Sequence, residues 1–160
     1  VPSQLAPGYG FQIDVPQYAT PEPIISKMLD LAQPRPDDFL IDLGCGDGRI
    51  AIAAAKTFGL RGRGIDIDPA QIDTATRNAQ SAGVAHLVSF HREDLLDTGL
   101  AGATIVMLYL LGDVNLLIRE RLRSRLRPGA RVVSRSFDMG DWQPDAVLKT
   151  ELGPIYRWDV

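Results

Sequence analysis

The apolar and polar positions of the chain follow two periods, one typical of strands and the other typical of helices. Short apolar runs bounded by turn residues predict buried strands, and longer segments with an apolar residue every three or four positions predict helices. The predicted strands are 39–43, 63–67, 86–91, 104–110 and 131–136, and the predicted helices are 49–57, 69–82 and 113–126. Another helix is predicted to begin after Thr20 and to end at residues 33–36. Thr20 would be its N-cap, and Pro21 would lie in its first turn.

The order of these elements predicts the fold class. Strands that alternate with helices predict a three-layer α/β sandwich around a mostly parallel sheet. The run 104–110 is apolar almost throughout, which fits a central strand that is buried on both faces. Two final runs, 146–152 and 155–160, flank the turn signal Gly153-Pro154. They predict an antiparallel hairpin at one edge of the sheet.

Length and composition limit the domain organisation and the partners. A chain of 160 residues is large enough for one domain. We expect an N-terminal arm over residues 1–19, which show no periodicity, and a single domain over residues 20–160. The net charge of −3 does not favour a nucleic-acid partner. The sequence does not indicate an oligomeric state.

The sequence offers little indication of a membrane or of a special compartment. No apolar run reaches the ~18 residues of a membrane span. The single cysteine, Cys45, fits a reducing compartment, so we expect a cytoplasmic location. The chain starts at Val1 rather than at methionine, which leaves open a leader or an anchor that was removed.

Three glycines follow the predicted strand 39–43 at alternating positions. They are Gly44, Gly46 and Gly48, and a predicted helix follows at once. A strand, a tight glycine turn and a helix N-terminus together form a nucleotide-cofactor site, because glycine lets a ligand lie against bare backbone. A dinucleotide fingerprint requires a further glycine at the position of Arg49. The spacing therefore makes a dinucleotide oxidoreductase a distant alternative.

An aspartate at the end of the next predicted strand is the second candidate cofactor ligand. Asp66 lies 20 residues after Gly46, where a carboxylate can accept hydrogen bonds from both hydroxyls of a ribose. Its alternative role is to cap the following helix. Asp68 suits that role better, because it directly precedes Pro69.

The glycine motif, read from Asp42 as D-x-G-x-G-x-G, resembles the first motif of class I S-adenosyl-L-methionine (SAM) methyltransferases. In that pattern, an aspartate just past the third strand bonds the exocyclic amine of adenine. The resemblance thus implies this role for Asp94, and implies that Leu95 packs on the ring or offers its N–H; the alternative is that Asp94 is an ordinary loop acid. The candidate cofactor contacts are Thr20, Asp42, Gly44, Cys45, Gly46, Gly48, Asp66, Ile67, Asp94 and Leu95.

The resemblance extends over most of the chain. The segments that carry it are 15–21, 42–50, 64–68, 108–111, 131–134 and 138–145. In this order they resemble the small seven-strand protein-lysine methyltransferases, which include an archaeal broad-specificity enzyme and the mitochondrial enzymes that act on ATP synthase c-subunit and on the adenine nucleotide translocase. The resemblance implies a Rossmann-like class I fold, SAM as methyl donor, S-adenosyl-L-homocysteine as product and a protein lysine as acceptor. One departure is Gln17, which stands where relatives usually carry an aromatic residue; here the aromatic residue is Tyr18.

The resemblance also implies where the acceptor is held. Tyr109 follows the apolar run at the position where methyltransferases hold the acceptor beside the methyl group, and we predict that it orients the amine. We expect Tyr18 and Thr20 to close over the cofactor, and Tyr18 and Trp142 to contact the substrate. The alternatives are core packing for Tyr109 and packing on the final hairpin for Trp142.

Other residue types indicate no further chemistry. His86 and His91 belong to another strand, and Cys45 lies between two glycines. We therefore predict neither a histidine base nor a cysteine nucleophile, and no metal site. The arginines at 119, 121, 123, 125 and 127 spread around one predicted helix. They predict a solvated surface or, alternatively, a docking surface for an acidic partner.

Two other activities remain open. Residues 108–111 read Leu-Tyr-Leu-Leu, where an enzyme that methylates nucleobase amines usually shows N/D-P-P-Y/F. A small-molecule methyltransferase often has an inserted lid domain, which this chain lacks. The alternatives to a lysine methyltransferase are thus a small-molecule methyltransferase and a SAM-binding module without turnover.

Overall fold

The computed structural model describes residues 4–5, 12–13, 19–110 and 112–160. Two short strands, β1 (Gln4–Leu5) and β2 (Gln12–Ile13), pair with each other in antiparallel fashion within the predicted N-terminal arm. The helices are α1 (Glu22–Ala32), α2 (Arg49–Phe58), α3 (Pro69–Ser81) and α4 (Gly112–Arg125). The remaining strands are β3 (Phe39–Leu43), β4 (Arg61–Asp66), β5 (Val88–Arg92), β6 (Ile105–Leu108), β7 (Arg131–Arg135), β8 (Ala146–Thr150) and β9 (Gly153–Asp159).

Seven strands form one mixed sheet in the order β5-β4-β3-β6-β7-β9-β8. The first five strands pair in parallel. β9 then pairs with β7 and with β8 in antiparallel fashion, so β8 is the edge strand. This topology confirms the predicted α/β fold with its antiparallel C-terminal hairpin. The strand order changes direction between β3 and β6, and ligands of such sheets bind beyond the carboxyl ends of the strands at that point.

The core lies on both faces of the sheet, which explains the uninterrupted apolar runs in the central strands. In β6, Ile105 and Met107 join the cluster under α1, α2 and α3, while Val106 and Leu108 join the cluster under α4. All four side chains are fully buried. A strand covered on both faces can be apolar at every position, because each pleat faces a helical layer.

Two element boundaries differ from the prediction in ways that affect the site. Helix α1 begins at Glu22, with Pro21 as its N-cap, and no side chain caps it. The prediction that Thr20 caps this helix is therefore wrong: its hydroxyl accepts a hydrogen bond from Arg135 instead. Strand β6 ends at Leu108, so Tyr109 lies just beyond the strand rather than within it. Asp68 caps α3 as predicted, accepting a hydrogen bond from the Ala70 N–H.

No helix in the described part of the chain is long and apolar enough to cross a bilayer. The assignment of residues 1–19 to an arm and of residues 20–160 to one domain stays a prediction.

One buried ion pair joins the start of β7 to the segment before β3. Arg131 Nη2 bonds Asp38 Oδ1, and both side chains are only 6% exposed. Arg131 Nη1 also donates to the carbonyl of Gln33 at 3.2 Å, and Asp38 Oδ2 accepts from the Arg35 N–H at 2.6 Å. Because a buried charge that loses its partner keeps its desolvation penalty, this pair is expected to matter for stability.

We expect Arg131→Met to lower the free energy of unfolding by about 3–5 kcal/mol, because Asp38 would remain buried without its cation. Urea unfolding followed by circular dichroism measures this change. The exposed pair between Arg123 and Glu120, 3.8 Å apart, supplies the control: Glu120→Gln should cost less than about 1 kcal/mol. Adding Asp38→Asn to Arg131→Met should recover part of the loss. Equal losses in Arg131→Met and Glu120→Gln would contradict this account.

Candidate functional site

The glycine loop between β3 and α2 is tied to the end of the neighbouring strand β4. The N–H groups of Gly44 and Cys45 both donate to the Ile65 carbonyl, at 2.9 and 2.8 Å. Gly44, Gly46 and Gly48 have φ values of 80°, 54° and 83°, a region that glycine adopts without steric cost. The sequence therefore folds here into a tight turn that carries the chain from the strand directly into the helix.

The glycines of this region have different roles. A Cβ on Gly48 would lie 2.7 Å from Phe90 and 2.9 Å from Ala75, so this glycine permits close packing beneath the loop. A Cβ on Gly46 would meet only the end of the Gln71 side chain, at 4.0 Å. The loop therefore presents bare backbone at Gly46, with room above it for a ligand.

Cys45 is a packing residue of this loop. Its buried side chain lies over Gly64, where an added Cβ would be 2.6 Å from the Cys45 Cβ. Burial is the main cause that raises the pKa of the Cys45 thiol, and nearby Asp42 and Asp66 raise it further. The thiol is thus kept protonated and unreactive. The small side chain fits the turn, as the sequence indicated.

The carboxylate of Asp66 lies against the glycine loop. Its Oδ2 accepts from the Gly46 N–H at 3.0 Å, and its Oδ1 accepts from the Asp68 N–H at 3.0 Å. Burial raises the pKa of Asp66, and these hydrogen bonds oppose that shift. Each carboxylate oxygen has a further lone pair, so the group is fixed in place and can still accept two hydroxyl donors. This geometry suits a ribose; the contact itself stays a prediction, as does that of Ile67, whose carbonyl accepts from Arg92.

Two further acids make the loop region negative. Asp42, at 3% exposure, is buried at the base of the loop. Its burial, and then repulsion from Asp66 and Asp47, raise the pKa of Asp42 to about 7. Asp47 pairs with Arg49 at 2.6 Å, and this contact lowers the pKa of Asp47. Among the described residues Asp66 has no cation paired with it, so its carboxylate at the loop favours a positively charged ligand.

Asp94, in the loop after β5, has one carboxylate oxygen that accepts no hydrogen bond from the described residues. Its Oδ1 accepts from the Leu96 N–H at 3.0 Å, which fixes the carboxylate within its own loop. Its Oδ2 is buried and has no hydrogen-bond partner in the part of the chain that the structure describes. A buried acceptor without a donor is costly, so a ligand N–H is the natural partner. The exocyclic amine of adenine fits this requirement, and the partly buried Leu95 lies next along the chain.

Arg121 holds the loop that follows Asp94, a role that its position in the sequence does not indicate. Its guanidinium donates to three carbonyls of that loop, those of Leu95 at 3.2 Å, Leu96 and Thr98 at 2.6 Å. Arg119, on the same helix α4, likewise donates to the Met139 carbonyl at 3.0 Å. These two arginines are therefore internal supports, and neither the solvated-surface prediction nor the docking-surface alternative describes them.

On the other side of the loop, Thr20, Tyr109 and Arg135 form one cluster. The register of β6 and β7 pairs Leu108 with Ser134, which brings the following residues Tyr109 and Arg135 together. The Arg135 guanidinium lies 4.2 Å from the centre of the Tyr109 ring, and its Nη1 donates to the Thr20 hydroxyl at 3.2 Å. Arg135, which was not predicted as a site residue, thus contacts both Thr20 and Tyr109, which were predicted separately.

Arg49 and Phe137 complete this cluster. Arg49, at the start of α2, donates to the Thr20 carbonyl at 3.2 Å, so Thr20 is held from both sides and is only 5% exposed. Phe137 stacks on Tyr109 with ring centres 6.5 Å apart and planes inclined by 23°. The partly buried Tyr109 ring therefore has aromatic and cationic neighbours. The position of Arg135 at the carboxyl end of a parallel strand was the signal that could have revealed it.

Trp142 packs on the C-terminal hairpin. Its ring centre lies 5.7 Å from that of Trp158, its carbonyl accepts from Trp158 Nε1 at 2.7 Å, and Arg123 lies 5.3 Å above the ring. This packing agrees with the alternative given for Trp142, and its contact with a substrate stays a prediction. Tyr18 lies outside the described residues.

The histidine of the described strands is distant from Tyr109 in the sheet. His91 lies on β5 and contacts the Ser89 hydroxyl at 2.9 Å, and β4 and β3 separate β5 from β6. Among the described residues, no group of three or more histidine, cysteine or acidic side chains could hold a metal ion.

Comparison with known proteins identifies this arrangement. Residues 42–146 match the model of the ANTKMT methyltransferase domain. The chain is 39% identical over 140 residues to a protein-lysine N-methyltransferase of Saccharolobus islandicus, covering 87% of each chain. It is 34% identical over 160 residues to the adenine nucleotide translocase lysine N-methyltransferase of Mus musculus, covering 98% of this chain and 69% of the relative.

A solved structure extends the comparison to the cofactor. The crystal structure of an RNA methyltransferase from Salinibacter ruber, in complex with S-adenosyl-L-homocysteine, matches with a TM-score of 0.88 at 48% identity. The match covers 89% of this chain and 94% of that chain. The bare backbone at Gly46, the fixed carboxylate of Asp66 and the free acceptor of Asp94 fit the same cofactor, and the acidic surroundings fit the positive charge of SAM.

Asp42 makes the stability of the cofactor-free protein depend on pH. Its folded-state pKa of about 7 exceeds the ordinary 3.8, so the folded protein keeps a proton that the unfolded chain releases as the pH rises. The free energy of unfolding should therefore fall between roughly pH 4 and pH 7. Asp42→Asn should remove this decline and be more stable than the wild type by about 2–4 kcal/mol at pH 8. Urea unfolding at pH 4 and pH 8 tests this.

Near pH 4 the two proteins should differ by less than about 1 kcal/mol, because the wild-type carboxyl group is protonated in the folded state and the pH is close to its ordinary pKa of 3.8 in the unfolded chain. A stability difference that is the same at both pH values would show that the Asp42→Asn substitution acts by packing and that Asp42 does not titrate as stated.

Proposed function

Because the chain belongs to the family of the ANTKMT methyltransferase domain, and its relatives here are named lysine N-methyltransferases, we propose that it methylates lysine side chains of a protein substrate. The observation that carries this proposal is the cluster at the ends of β6 and β7. Tyr109 and Phe137 form an aromatic surface beside the cofactor loop. Such a surface suits the apolar stem of a lysine with the hydroxyl of Tyr109 at its end.

The residues of the chain act mainly by positioning. Gly46, Asp66 and Asp94 would hold the cofactor, and when bound SAM supplies a methyl group on a positively charged sulfur. Tyr109 orients the acceptor amine, and the surrounding aromatic rings exclude water from it. Holding the methyl donor and the acceptor amine in line supplies a large part of the rate enhancement of a methyl transfer, because the reaction of two bound groups replaces a bimolecular encounter.

A lysine acceptor must lose its proton before it can react, since an unperturbed lysine has a pKa near ~10.4. Burial of the amine in an aromatic site favours the uncharged form. The proposed reaction therefore requires no strong base. This agrees with the position of His91 on β5, which β4 and β3 separate from β6.

A second candidate is methylation of RNA, the activity in the name of the Salinibacter ruber structure. RNA binding requires arginines and lysines that are free to meet phosphates. Arg119 and Arg121 instead donate to carbonyls of their own chain, and the net charge is −3. These observations favour a protein acceptor, and the experiment below distinguishes the two.

The test is to incubate the protein with a cell lysate and SAM carrying a tritiated methyl group. Aliquots are treated with ribonuclease or with proteinase, and the protein fraction is hydrolysed in acid and separated by chromatography. We expect the label in methyl-lysine, sensitive to proteinase and resistant to ribonuclease. The control is Asp66→Ala, which should weaken SAM binding by about 1–3 kcal/mol through the loss of a hydrogen-bonding partner, and which should reduce the labelling.

Each other outcome contradicts lysine methylation in its own way. Label in nucleosides would indicate RNA as the acceptor. Label only in small solutes would indicate a small-molecule methyltransferase. Tight SAM binding in calorimetry without any label would indicate a binding module without turnover.

A further inference from the structure

Arg135 is a buried cation at the acceptor side of the site. The residue is 8% exposed, and its guanidinium stays charged at any pH at which a protein is folded. Its Nε is buried without a hydrogen-bond partner among the described residues, and none of the ion pairs between those residues involves Arg135. The partners that the structure does give it are the Thr20 hydroxyl and the Tyr109 ring. Neither carries a negative charge.

The loop that carries Arg135 is fixed in place. Asn115, fully buried on α4, donates through its side-chain amide to the Ser134 hydroxyl at 3.1 Å and to the Phe137 carbonyl at 3.1 Å. The Ser136 N–H donates to the Pro154 carbonyl at 2.8 Å, although Ser136 has a φ of 70°, which is unfavourable for a residue with a side chain. These hydrogen bonds thus hold Ser136 in its unfavourable backbone conformation and fix the segment that carries Arg135.

A buried charge without a counter-charge among the described residues is costly, and here it lies against the ring of Tyr109, the residue that is proposed to orient the acceptor. A second positive charge near the Tyr109 ring would be repelled more strongly than in water, because the surroundings have a low dielectric constant. A neutral amine would meet no such repulsion. Nearby cations are a known means of favouring the uncharged, nucleophilic form of a lysine.

On the basis of the proposed function, we propose that Arg135 favours the uncharged form of the acceptor lysine and so takes the part that a general base would otherwise have. The acceptor ammonium releases a proton to solvent as it enters the site. The amine nitrogen then forms a bond to the methyl carbon with its lone pair, while the carbon–sulfur bond breaks and its electron pair stays on sulfur. The product is a methylated ammonium and a neutral thioether, so atoms and charge balance.

Other charged side chains lie on the elements around Arg135. They include Glu22 of α1, Asp42 of β3, Asp47 and Arg49 beside α2, Asp66 of β4, Asp113 of α4, Asp138 after β7 and Arg157 of β9. Asp47 is paired with Arg49 at 2.6 Å. Asp66 accepts from two backbone amides, and Asp138 accepts from the Gly140 N–H at 3.1 Å. Among the described residues, Arg135 is the cation that contacts Tyr109.

The experiment measures kcat between pH 7 and pH 10 with saturating poly-L-lysine, which presents the acceptor amine without a particular sequence context. The kcat profile reports ionisation in the enzyme–substrate complex. Three variants are compared with the wild type: R135Q, R135K and Y109F. Calorimetry gives the SAM affinity of each variant, and far-ultraviolet circular dichroism shows whether it is folded.

We expect R135Q to lower kcat about tenfold at pH 7.5, the ratio that corresponds to one pKa unit of the bound amine. The difference should shrink to about threefold or less at pH 10, where an amine with the ordinary pKa near ~10.4 is already partly deprotonated. SAM affinity should be unchanged within about twofold, because Arg135 is proposed to act on the acceptor amine and not on the cofactor. R135K keeps a positive charge, so its profile should keep the wild-type shape, and this variant carries the test should R135Q not fold. Y109F should lower kcat by the same factor at every pH.

Four results would overturn the inference. An equal loss of kcat at every pH in R135Q, or an R135K profile displaced like that expected of R135Q, would make Arg135 a structural residue. A large loss of SAM affinity with an unchanged profile would make it an anchor for the carboxylate of the cofactor. Wild-type protein that forms no methyl-lysine at any pH would remove the proposed function itself, and the inference with it.

Discussion

The site depends on the hydrogen bonds that join the glycine loop to the end of β4. The Ile65 carbonyl accepts from Gly44 and Cys45, and the carboxylate of the next residue, Asp66, accepts from Gly46. The pairing of Leu43 with Ile65 sets the register in which these groups meet. These hydrogen bonds involve the backbone and one short side chain, so they leave the loop little conformational freedom. The bare backbone of Gly46 and the free lone pairs of Asp66 therefore face a ligand as one rigid unit.

Negatively and positively charged side chains lie on opposite sides of the site, which suits the transfer of a methyl group from a cationic cofactor to an amine. Asp66 lies at the end of β4 beside the glycine loop, where its carboxylate favours a positively charged cofactor. Arg135 lies at β7, against the ring that is proposed to orient the acceptor. The donor side of the site therefore attracts positive charge and the acceptor side opposes it. This separation follows from strand order, since β3 and β6 are neighbours at the point where the order reverses.

The local parts of the site could be predicted from the sequence, and the long-range parts could not. The glycine spacing and the aspartates at strand ends are patterns of a few neighbouring residues, so they can be recognised in the sequence. The fold that these patterns predicted is confirmed. Arg135 contacts Thr20, which is 115 positions away in the chain, and Arg121 contacts the loop after Asp94 across more than 20 positions. Such contacts depend on how helices and strands pack. Periodicity shows which face of an element is buried, but not which polar group of another element it meets.

The same limit explains why Thr20 was assigned to a helix cap. A threonine before a proline at a helix start is a good local candidate for that role, and nothing near it in the sequence indicates an arginine partner. In the folded chain its hydroxyl is taken by Arg135 and its carbonyl by Arg49. Thr20 thus links the first helix to both sides of the proposed cofactor site, a role that exists only in three dimensions.

The most direct test of this account is calorimetric titration of the protein with S-adenosyl-L-homocysteine, with its inosine analogue and with NAD. The analogue replaces the exocyclic amine of adenine by an oxygen, which would face the unpaired Asp94 Oδ2 as a second acceptor. The account predicts that S-adenosyl-L-homocysteine binds at least about tenfold more tightly than the analogue, and that NAD does not bind. Equal affinity for the first two ligands, or competition by NAD, would contradict it.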